Sequence, residues 1–499
     1  MKINKYLIIA FIGLFSVSCS EDTMDEINKD NQNPPSKVIN AKFQITDAIT
    51  STAFTTIGGA YAWNVSSFTE QIFGCGNNQL MNAELRDRLE TMASTTYNNE
   101  WNGTYGSMSN LKEAIEKCAE GGLNAGEEDI LGMAKTLMAI SLGNLTDLHG
   151  DIPYSEALQV ATIKAPKLDK QSDIYGNIFT LLDEAVTSLT KAQTEKMKNA
   201  GSQDILFGND NSQWIGLAHA VRARYLLHTY GRDRDILNDV IDACNNAISA
   251  GFEGAELSIF NGVTCDNSWA AFFWSRYYSA SSKTVSDLLT ARNDERMSIY
   301  SADFFGTNRD GVPGDRKDAQ SIQSLNAPLW LDNGAATIHI MSKSELYFIL
   351  AESQARLGQD AYNAYKTAVE ASFEDFAVSS NSNPKQRYEY SKGFIENYFV
   401  ENKSLYEANP LNEIMIQKYI SQSRDEQIQT YNDIRRCEYV DGKYPVTLTN
   451  PLNKIGNDNN WPNLLPYGNS DVVSNPNVKA AYGDGTYIFT KKAWIFGGE

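Results

Sequence analysis

Apolar residues recur every three to four positions over much of the chain, a spacing that predicts amphipathic helices. Residues 173–192, 214–231 and 234–252 each carry one such stripe. Gly231 and Gly251 stand at the ends of the last two segments, where a glycine commonly closes a helix. We expect the middle helix to pack against both of its neighbours.

The clearest unit is residues 342–375, which has the length of one tetratricopeptide repeat. Two apolar stripes are separated by Gly358, so the segment predicts a pair of helices joined by a tight turn. Residues 129–144 also have helical periodicity and are rich in Ala, Gly and Ser, which suits close contact between helices. No strict sequence repeat runs along the chain.

The helical pattern stops in two long regions that are rich in Gly, Asn, Asp, Ser and Pro and dense in aromatic residues. The sequence therefore predicts a mostly α fold, a tetratricopeptide-like scaffold of helix pairs with long irregular loop excursions that form the ligand surface. We expect one body over 41–499, with the scaffold at about 41–252 and 341–436 and ligand-facing loops at about 253–340 and 437–499.

The first forty residues have a different character. Residues 1–18 join two lysines to a ten-residue apolar run, which is the length of a secretory signal and short of the roughly 20 residues that span a membrane. Cys19 follows small residues, so we expect cleavage before it and lipid attachment to it; an ordinary secretory signal with a chance cysteine is the alternative. Residues 19–40 are acidic and polar and predict a flexible tether.

The formal net charge is −19, and it becomes −21 when Lys2 and Lys5 leave with the leader. Such a charge repels phosphate backbones and argues against nucleic-acid binding. Besides Cys19 the chain has five widely spaced cysteines without a C-x-x-C pair, so neither a disulfide framework nor a zinc motif is indicated.

Motifs of catalysis are missing from the sequence. It holds four histidines and no H-E-x-x-H, G-x-S-x-G or phosphate-binding loop, which favours binding without turnover. A glycan hydrolase needs only two suitably spaced carboxylates and is therefore the enzymatic alternative. A structural surface protein without a pocket is another alternative.

Three acids in residues 309–318, Asp310, Asp315 and Asp318, resemble part of a cation-binding loop. No glutamate closes the loop at the calcium-binding spacing, so we expect a solvated turn, with a structural calcium ion as the alternative. The sequence predicts no other metal site and no cofactor.

The richest candidate for ligand contact is the segment 266–281, where six aromatic residues fall within ten positions. Aromatic faces stack on sugar rings or on peptide side chains, and neighbouring polar groups fix the orientation. Burial of these rings in the core is the alternative. The candidate ligand residues are Trp269, Trp274, Arg276, Tyr277 and Tyr278, together with the weaker candidates Trp63, Asn64 and Trp330.

Six segments resemble, in order, the SusD/RagB-like nutrient-binding outer-membrane lipoproteins of Bacteroidetes, in their SusD-like branch. His149, Ile434 and the pair Asn463–Leu464 depart from the residues usual in that branch. The matching segments are LTDLHGDIPYSEAL (145–158), APKLDKQSDIYGNI (165–178), DERMSIY (294–300), MSKSELYFILAESQARLG (341–358), QKYISQSRDEQIQTYNDIRR (417–436, a late helix) and WPNLLPYGNSDVVSNPNV (461–478).

The resemblance implies a protein held at the extracellular face of the outer membrane by the lipid on Cys19. It implies capture of oligosaccharides and a partner, a SusC-type TonB-dependent transporter for which this protein is the lid. The same role for oligopeptides is the alternative, and the charge of the body favours neutral or cationic ligands of either class. The family's ligand residues do not transfer position by position.

Overall fold

The computed structural model describes residues 38–76, 79–159, 162–378, 387–453 and 460–499. The predicted leader, Cys19 and nearly all of the predicted tether lie outside these residues. Residues Ala41–Glu499 form one compact unit. Within the described residues, no helix is long and apolar enough to cross a membrane.

Helices make up most of the described chain. In the first half they are α1 (Lys42–Ser51), α2 (Gly59–Phe68), α3 (Gln79–Glu84), α4 (Arg88–Met92), α5 (Asn98–Cys118), α6 (Glu128–His149), α7 (Gln171–Glu195), α8 (Asn211–His228) and α9 (Leu237–Ser249). In the second half they are α10 (Ser268–Arg276), α11 (Lys283–Thr290), α12 (Met297–Tyr300), α13 (Lys343–Arg356), α14 (Tyr362–Phe376), α15 (Phe394–Glu401), α16 (Lys403–Ala408), α17 (Pro410–Gln422), α18 (Gln427–Asp441), α19 (Asn469–Ser474), α20 (Pro476–Tyr482) and α21 (Tyr487–Thr490). A π-helical turn, Thr52–Thr56, follows α1, and short 3₁₀ turns lie at Gly201–Gln203, Thr229–Gly231, Asp318–Gln320, Ile322–Ser324, Leu329–Leu331, Pro451–Asn453 and Trp494–Phe496.

The long helices pack in sequence as pairs. Helix α6 packs on α7, α8 on α9 and α13 on α14, and α8 also contacts α7, so the predicted packing of the middle helix against both neighbours is confirmed. The break predicted at Gly358 lies between α13 and α14, where this residue has φ +69°. Because neighbouring pairs share their apolar faces, the pairs form one continuous core.

Two predictions of where helices begin and end are wrong. Helix α8 stops at His228, and Gly231 lies in a following 3₁₀ turn without the left-handed backbone of a C-cap. A Cβ at Gly231 would lie 2.5 Å from the Tyr439 ring, so this glycine allows a close approach instead. The predicted late helix over 417–436 is two helices, α17 and α18, because Asp425 and Glu426 between them accept hydrogen bonds from β4 and the start of α13.

Strands are few and short in the described residues: β1 (Phe73–Gly74), β2 (Ala255–Leu257), β3 (Ser279–Ala280) and β4 (Ile338–Met341). Strand β1 pairs antiparallel with β3, and β2 pairs antiparallel with β4. The region 253–340, predicted as loop, therefore contains helices α10 to α12 and three strands. The β1–β3 pairing joins the end of the aromatic segment to residues that follow α2.

Buried ion pairs join the later helices. Arg436 on α18 reaches Glu352 on α13 at 2.6 Å and Asp433 at 2.6 Å, and all three side chains are buried. Lys418 on α17 bonds the other oxygen of Asp433 at 2.7 Å, and Arg356 bonds Glu352 at 2.8 Å. Removing one member would leave a buried charge without its partner, which costs about 3–5 kcal/mol. These contacts fix the relative positions of three helices.

Other residues of the family-like segments also serve the scaffold. Asp147 is fully buried and accepts hydrogen bonds from Tyr175 at 2.5 Å, from His228 at 2.9 Å and from Asn432 at 3.2 Å. Arg296, in the Asp-x-Arg turn, donates to residues of both α14 and α17. The segments that carry the resemblance therefore hold helices together.

The small residues at 129–144 predict close contact between helices, and the structure shows such a contact. A Cβ at Gly143 on α6 would lie 2.0 Å from the Tyr225 ring of α8, whereas a Cβ at Gly176 on α7 would meet no atom of the described residues within 4 Å. Both glycines are inside helices, so they share the same backbone cost and differ only in the space around them.

We expect Gly143→Ala to destabilise the fold by about 1–3 kcal/mol, because the added methyl overpacks the α6–α8 contact. The matched change Gly176→Ala should stabilise it by about 0.5–1 kcal/mol through helix propensity alone. Denaturant unfolding followed by circular dichroism measures both, and equal effects at the two positions would contradict this packing.

Candidate ligand-binding site

Helix α10 organises the aromatic segment. The Asn267 side chain caps its start by accepting a hydrogen bond from the Trp269 amide at 2.7 Å and donates to the Ala336 carbonyl at 2.9 Å. Trp269 and Phe273 lie on the inward stripe and are buried. The helix ends at Tyr277, whose backbone is left-handed with φ +57° and whose amide donates to the Phe273 carbonyl at 2.7 Å.

Three rings next to this helix end are exposed: Trp274 to 51%, Tyr277 to 37% and Phe305 to 38%. We call these three residues the aromatic patch. Trp274 meets Tyr277 edge-on with ring centroids 5.6 Å apart, and Tyr277 meets Phe305 in the same manner at 6.5 Å. Large exposed apolar groups in contact with one another are typical of binding surfaces.

The side chain of Asp303 holds the loop that presents Phe305. Asp303 accepts hydrogen bonds from the amides of Phe305, Gly306 and Thr307 at 3.2, 2.6 and 2.9 Å. This Asx turn fixes the backbone that carries the Phe305 ring. Sequence reasoning missed Phe305; the signal was an aromatic pair inside a turn-forming stretch, DFFGTN.

The other side of α10 borders a cleft of about 400 Å³. Trp63 on α2 stacks on Phe272 on α10, with ring centroids 3.8 Å apart and planes 15° apart. The aromatic segment 266–281 and the weaker candidate Trp63 thus meet here. The cleft is lined by Ala60, Trp63, Asn64, Phe68, Gln79, Ala83, Glu90, Thr91, Thr95, Thr96, Tyr97, Asn99, Glu100, Phe272, Ser275 and Arg276.

Some polar groups that line the cleft have no hydrogen-bond partner among the described residues. The indole nitrogen of Trp63 and the hydroxyl of Tyr97 are buried and have no hydrogen-bond partner among the described residues. Arg276 is exposed and forms no salt bridge within the described part of the chain. Burial raises the pKa of Glu100, whose carboxylate accepts the Ala60 amide at 2.9 Å. The cleft therefore offers both donors and acceptors to a ligand.

The predicted site residues are divided by the structure. Trp63, Asn64 and Arg276 line the cleft, although the Asn64 amide is bonded within α2 to the Ala60 carbonyl. Trp274 and Tyr277 belong to the aromatic patch. Sequence reasoning missed the cleft residues Glu90, Tyr97 and Glu100, which lie outside the aromatic clusters that drew attention to the others.

Three further candidates lie deeper. Tyr278 is half-buried over Gly76, and Trp269 is buried behind the Trp63–Phe272 stack, edge-on to Trp63 at 6.3 Å. Trp330 is 1% exposed and packs against Phe376 at 5.3 Å. Rings in these two positions offer no face to a ligand, so Trp330 and Trp269, which is 3% exposed, are withdrawn from the candidate ligand residues as core residues.

The acids of the 309–318 loop bind protein groups. Asp318 pairs with Arg309 and accepts the Val312 amide at 3.1 Å. Asp315 accepts two amides of the same loop, and Asp310 accepts the Ser301 hydroxyl at 2.5 Å. The three carboxylates therefore act as acceptors that shape a turn.

A second cleft of about 520 Å³ lies beside His149, one of the residues that depart from those usual in the resembling branch. The carbonyl of Leu465 accepts from Nδ1 of His149 at 3.1 Å, so Nε2 accepts from the Tyr61 hydroxyl at 2.8 Å. Burial lowers the pKa of His149 to about 3. The imidazole is accordingly neutral near pH 7.

Helix pairs that carry an exposed aromatic surface on their connecting segments define a binding protein built on a repeat scaffold. Comparison of the sequence with protein families matches residues 33–467 to the SusD-like family described as starch-binding and associating with the outer membrane. Because this match covers most of the chain, the protein belongs to the SusD-like family of outer-membrane-associated proteins, and the predicted family is confirmed.

Solved structures agree. A SusD/RagB family protein from Bacteroides thetaiotaomicron is 30% identical, with a TM-score of 0.81 over 92% of this chain and all of that one. A chitin-binding protein (21% identity, TM-score 0.70, 91% and 99% covered) and a chitin-binding SusD homologue from Flavobacterium johnsoniae (17%, 0.66, 91% and 98%) share the fold. The predicted mostly helical, tetratricopeptide-like fold is confirmed. No curated protein sequence matches the chain.

The buried neutral state of His149 predicts acid sensitivity. The unfolded imidazole takes up a proton near pH 6.5, whereas the folded one does so only near pH 3. The unfolded state therefore binds more protons across this window, and stability falls as the pH is lowered through it. At about 1.4 kcal/mol per pKa unit, the loss approaches about 5 kcal/mol over the whole window.

We expect His149→Gln to flatten the dependence of the unfolding free energy on pH between about 6.5 and 4, whatever it costs at pH 7. Urea unfolding at four pH values measures this slope. His219→Gln, at a half-exposed position, is the control and should change the slope less. A variant slope equal to that of the parent chain would contradict a buried neutral His149.

Proposed function

We propose that this protein is a cell-surface lipoprotein, anchored through Cys19, that captures oligosaccharides and forms the lid of a SusC-type TonB-dependent outer-membrane transporter. Its family is described as starch-binding, and two proteins of the same fold are chitin-binding. The captured glycan lies on the aromatic patch and extends past Arg276 into the cleft.

The aromatic patch is the observation that carries this proposal. Sugar rings have apolar faces that stack on aromatic rings, and three exposed rings in contact present a surface longer than a single side chain. The adjoining cleft supplies carboxylates and the Arg276 guanidinium, which forms no salt bridge with the described residues, and these groups suit hydroxyl groups. The net charge of −19 for the chain favours an uncharged polymer over a polyanion.

Truncating the patch tests the site. We expect the double change Trp274→Ala with Tyr277→Ala to weaken binding of chito- and malto-oligosaccharides about 30-fold, since each lost ring contact costs about 1 kcal/mol. Isothermal titration with each oligosaccharide gives the affinities. Phe43→Ala is the matched control, because Phe43 is a 50% exposed ring on α1 outside the patch.

The same titration includes oligopeptides and an assay for shortened products. Peptide binding in place of glycan binding, lost in the double variant, would keep the site and replace the ligand class. Shortened glycans that disappear when one carboxylate is replaced would identify a hydrolase. Unchanged affinity in the double variant would remove the patch from the binding site.

A lid must open to receive ligand and close to deliver it. We expect an interface with the transporter above about 2,000 Å² and motion of the whole body about one edge. A rigid covalent cross-link between body and transporter should stop uptake and leave glycan binding intact. The same pair without the cross-link is the control. Normal uptake by the cross-linked pair would contradict the proposed role as a lid.

A further inference from the structure

A histidine and two carboxylates meet at the short sheet of β2 and β4. His339 on β4 is the cross-strand partner of Glu256 on β2. The Nε2 atom of His339 lies 3.4 Å from a carboxylate oxygen of Glu256 and 3.5 Å from one of Asp375, near the end of α14. Among the described residues, these three form the one group of at least three His, Cys, Asp or Glu ligand atoms that lie within 4.8 Å of one another.

The spacing suits a metal ion. In a tetrahedral site with bonds of about 2.0–2.1 Å, neighbouring ligand atoms are about 3.3 Å apart. The two measured distances from Nε2 lie close to that value. One imidazole nitrogen with two carboxylate oxygens is a ligand set that zinc-type cations accept, whereas calcium prefers oxygen alone.

Outer groups hold the ligands in position. The Nδ1 atom of His339 is 2.5 Å from Asp425, so the ring donates to a carboxylate on one side and presents Nε2 to the cluster on the other. The Ser344 hydroxyl donates to one oxygen of Asp375 at 2.8 Å and leaves the other oxygen facing His339. A carboxylate behind a histidine is the common arrangement at protein metal sites.

The cluster is reachable from solvent on one side. His339 is 3% exposed, Asp375 12% and Glu256 43%. Glu256 and Asp375 line a groove of about 490 Å³ that also holds Glu253, Glu370 and Glu374. An ion can enter from this groove, and three protein ligands would leave its fourth position open to water there.

We propose that Glu256, His339 and Asp375 form a binding site for a divalent transition-metal cation such as Zn²⁺. The site lies on residues other than those of the aromatic patch and of the cleft beside it. Oligosaccharide capture and metal binding are therefore separate properties of the chain and can be measured separately.

The test uses the purified chain, stripped of metal with a chelator and dialysed, and titrates it with ZnCl₂. We expect one zinc ion per chain, and we expect Glu256→Gln to weaken binding at least tenfold. Glu253→Gln is the matched control: Glu253 is an exposed acid in the same groove but outside the cluster, and its loss should leave the affinity unchanged. Co²⁺ serves as a spectroscopic probe whose visible absorption should depend on Glu256 and not on Glu253.

Thermal unfolding of the metal-free variants checks that both fold; Glu256 is half-exposed, so its replacement by glutamine is compatible with the sheet. Three results would overturn the proposal. These are no zinc binding by the parent chain, equal weakening by Glu253→Gln and Glu256→Gln, and binding of Ca²⁺ as tight as that of Zn²⁺. In each case the cluster is an ion-paired histidine or a general acidic groove.

Discussion

The pairing of buried charges between α13, α17 and α18 is the constraint on which the scaffold depends. Glu352 and Arg436 are both fully buried, and each is stable there only while its charged partners remain within hydrogen-bond distance. Apolar stripes alone allow helices to slide and rotate, whereas a buried ion pair accepts one arrangement. The relative positions of these helices, and of the segments that they support, therefore follow from a few charged side chains.

The scaffold and the aromatic patch are separate parts of this chain. The segments that resemble the family contain Asp147, Arg296 and Arg436, all of which are buried and bond neighbouring helices. The aromatic patch lies on α10 and on the loop after α12, outside those segments. Aromatic residues can be exchanged or moved to other positions in that region without disturbing a buried charge. This separation is a physical reason why one scaffold serves relatives with different ligands.

Much of the scaffold could be predicted because amphipathic helices reveal themselves locally, as in α7 and in the α13–α14 pair. Contacts between distant segments could not. The break between α17 and α18 depends on Asp425 meeting His339, and the burial of Trp330 depends on Phe376. The candidate site was found in part, through its crowded aromatic residues. Single acids such as Glu256 and Glu100 carry no local pattern, so only the fold shows what they face.

Tyr277 adopts a left-handed backbone, which costs a residue with a Cβ about 1–2 kcal/mol and costs glycine little. The protein accepts this cost because one residue, Tyr277, both ends α10 and places an aromatic ring at the end of the helix. Selection for heat resistance alone would favour glycine at this position and would erase one third of the aromatic patch. Thermal adaptation and the proposed ligand capture thus oppose each other at residue 277, whereas stability can be added at positions outside the aromatic patch without that conflict.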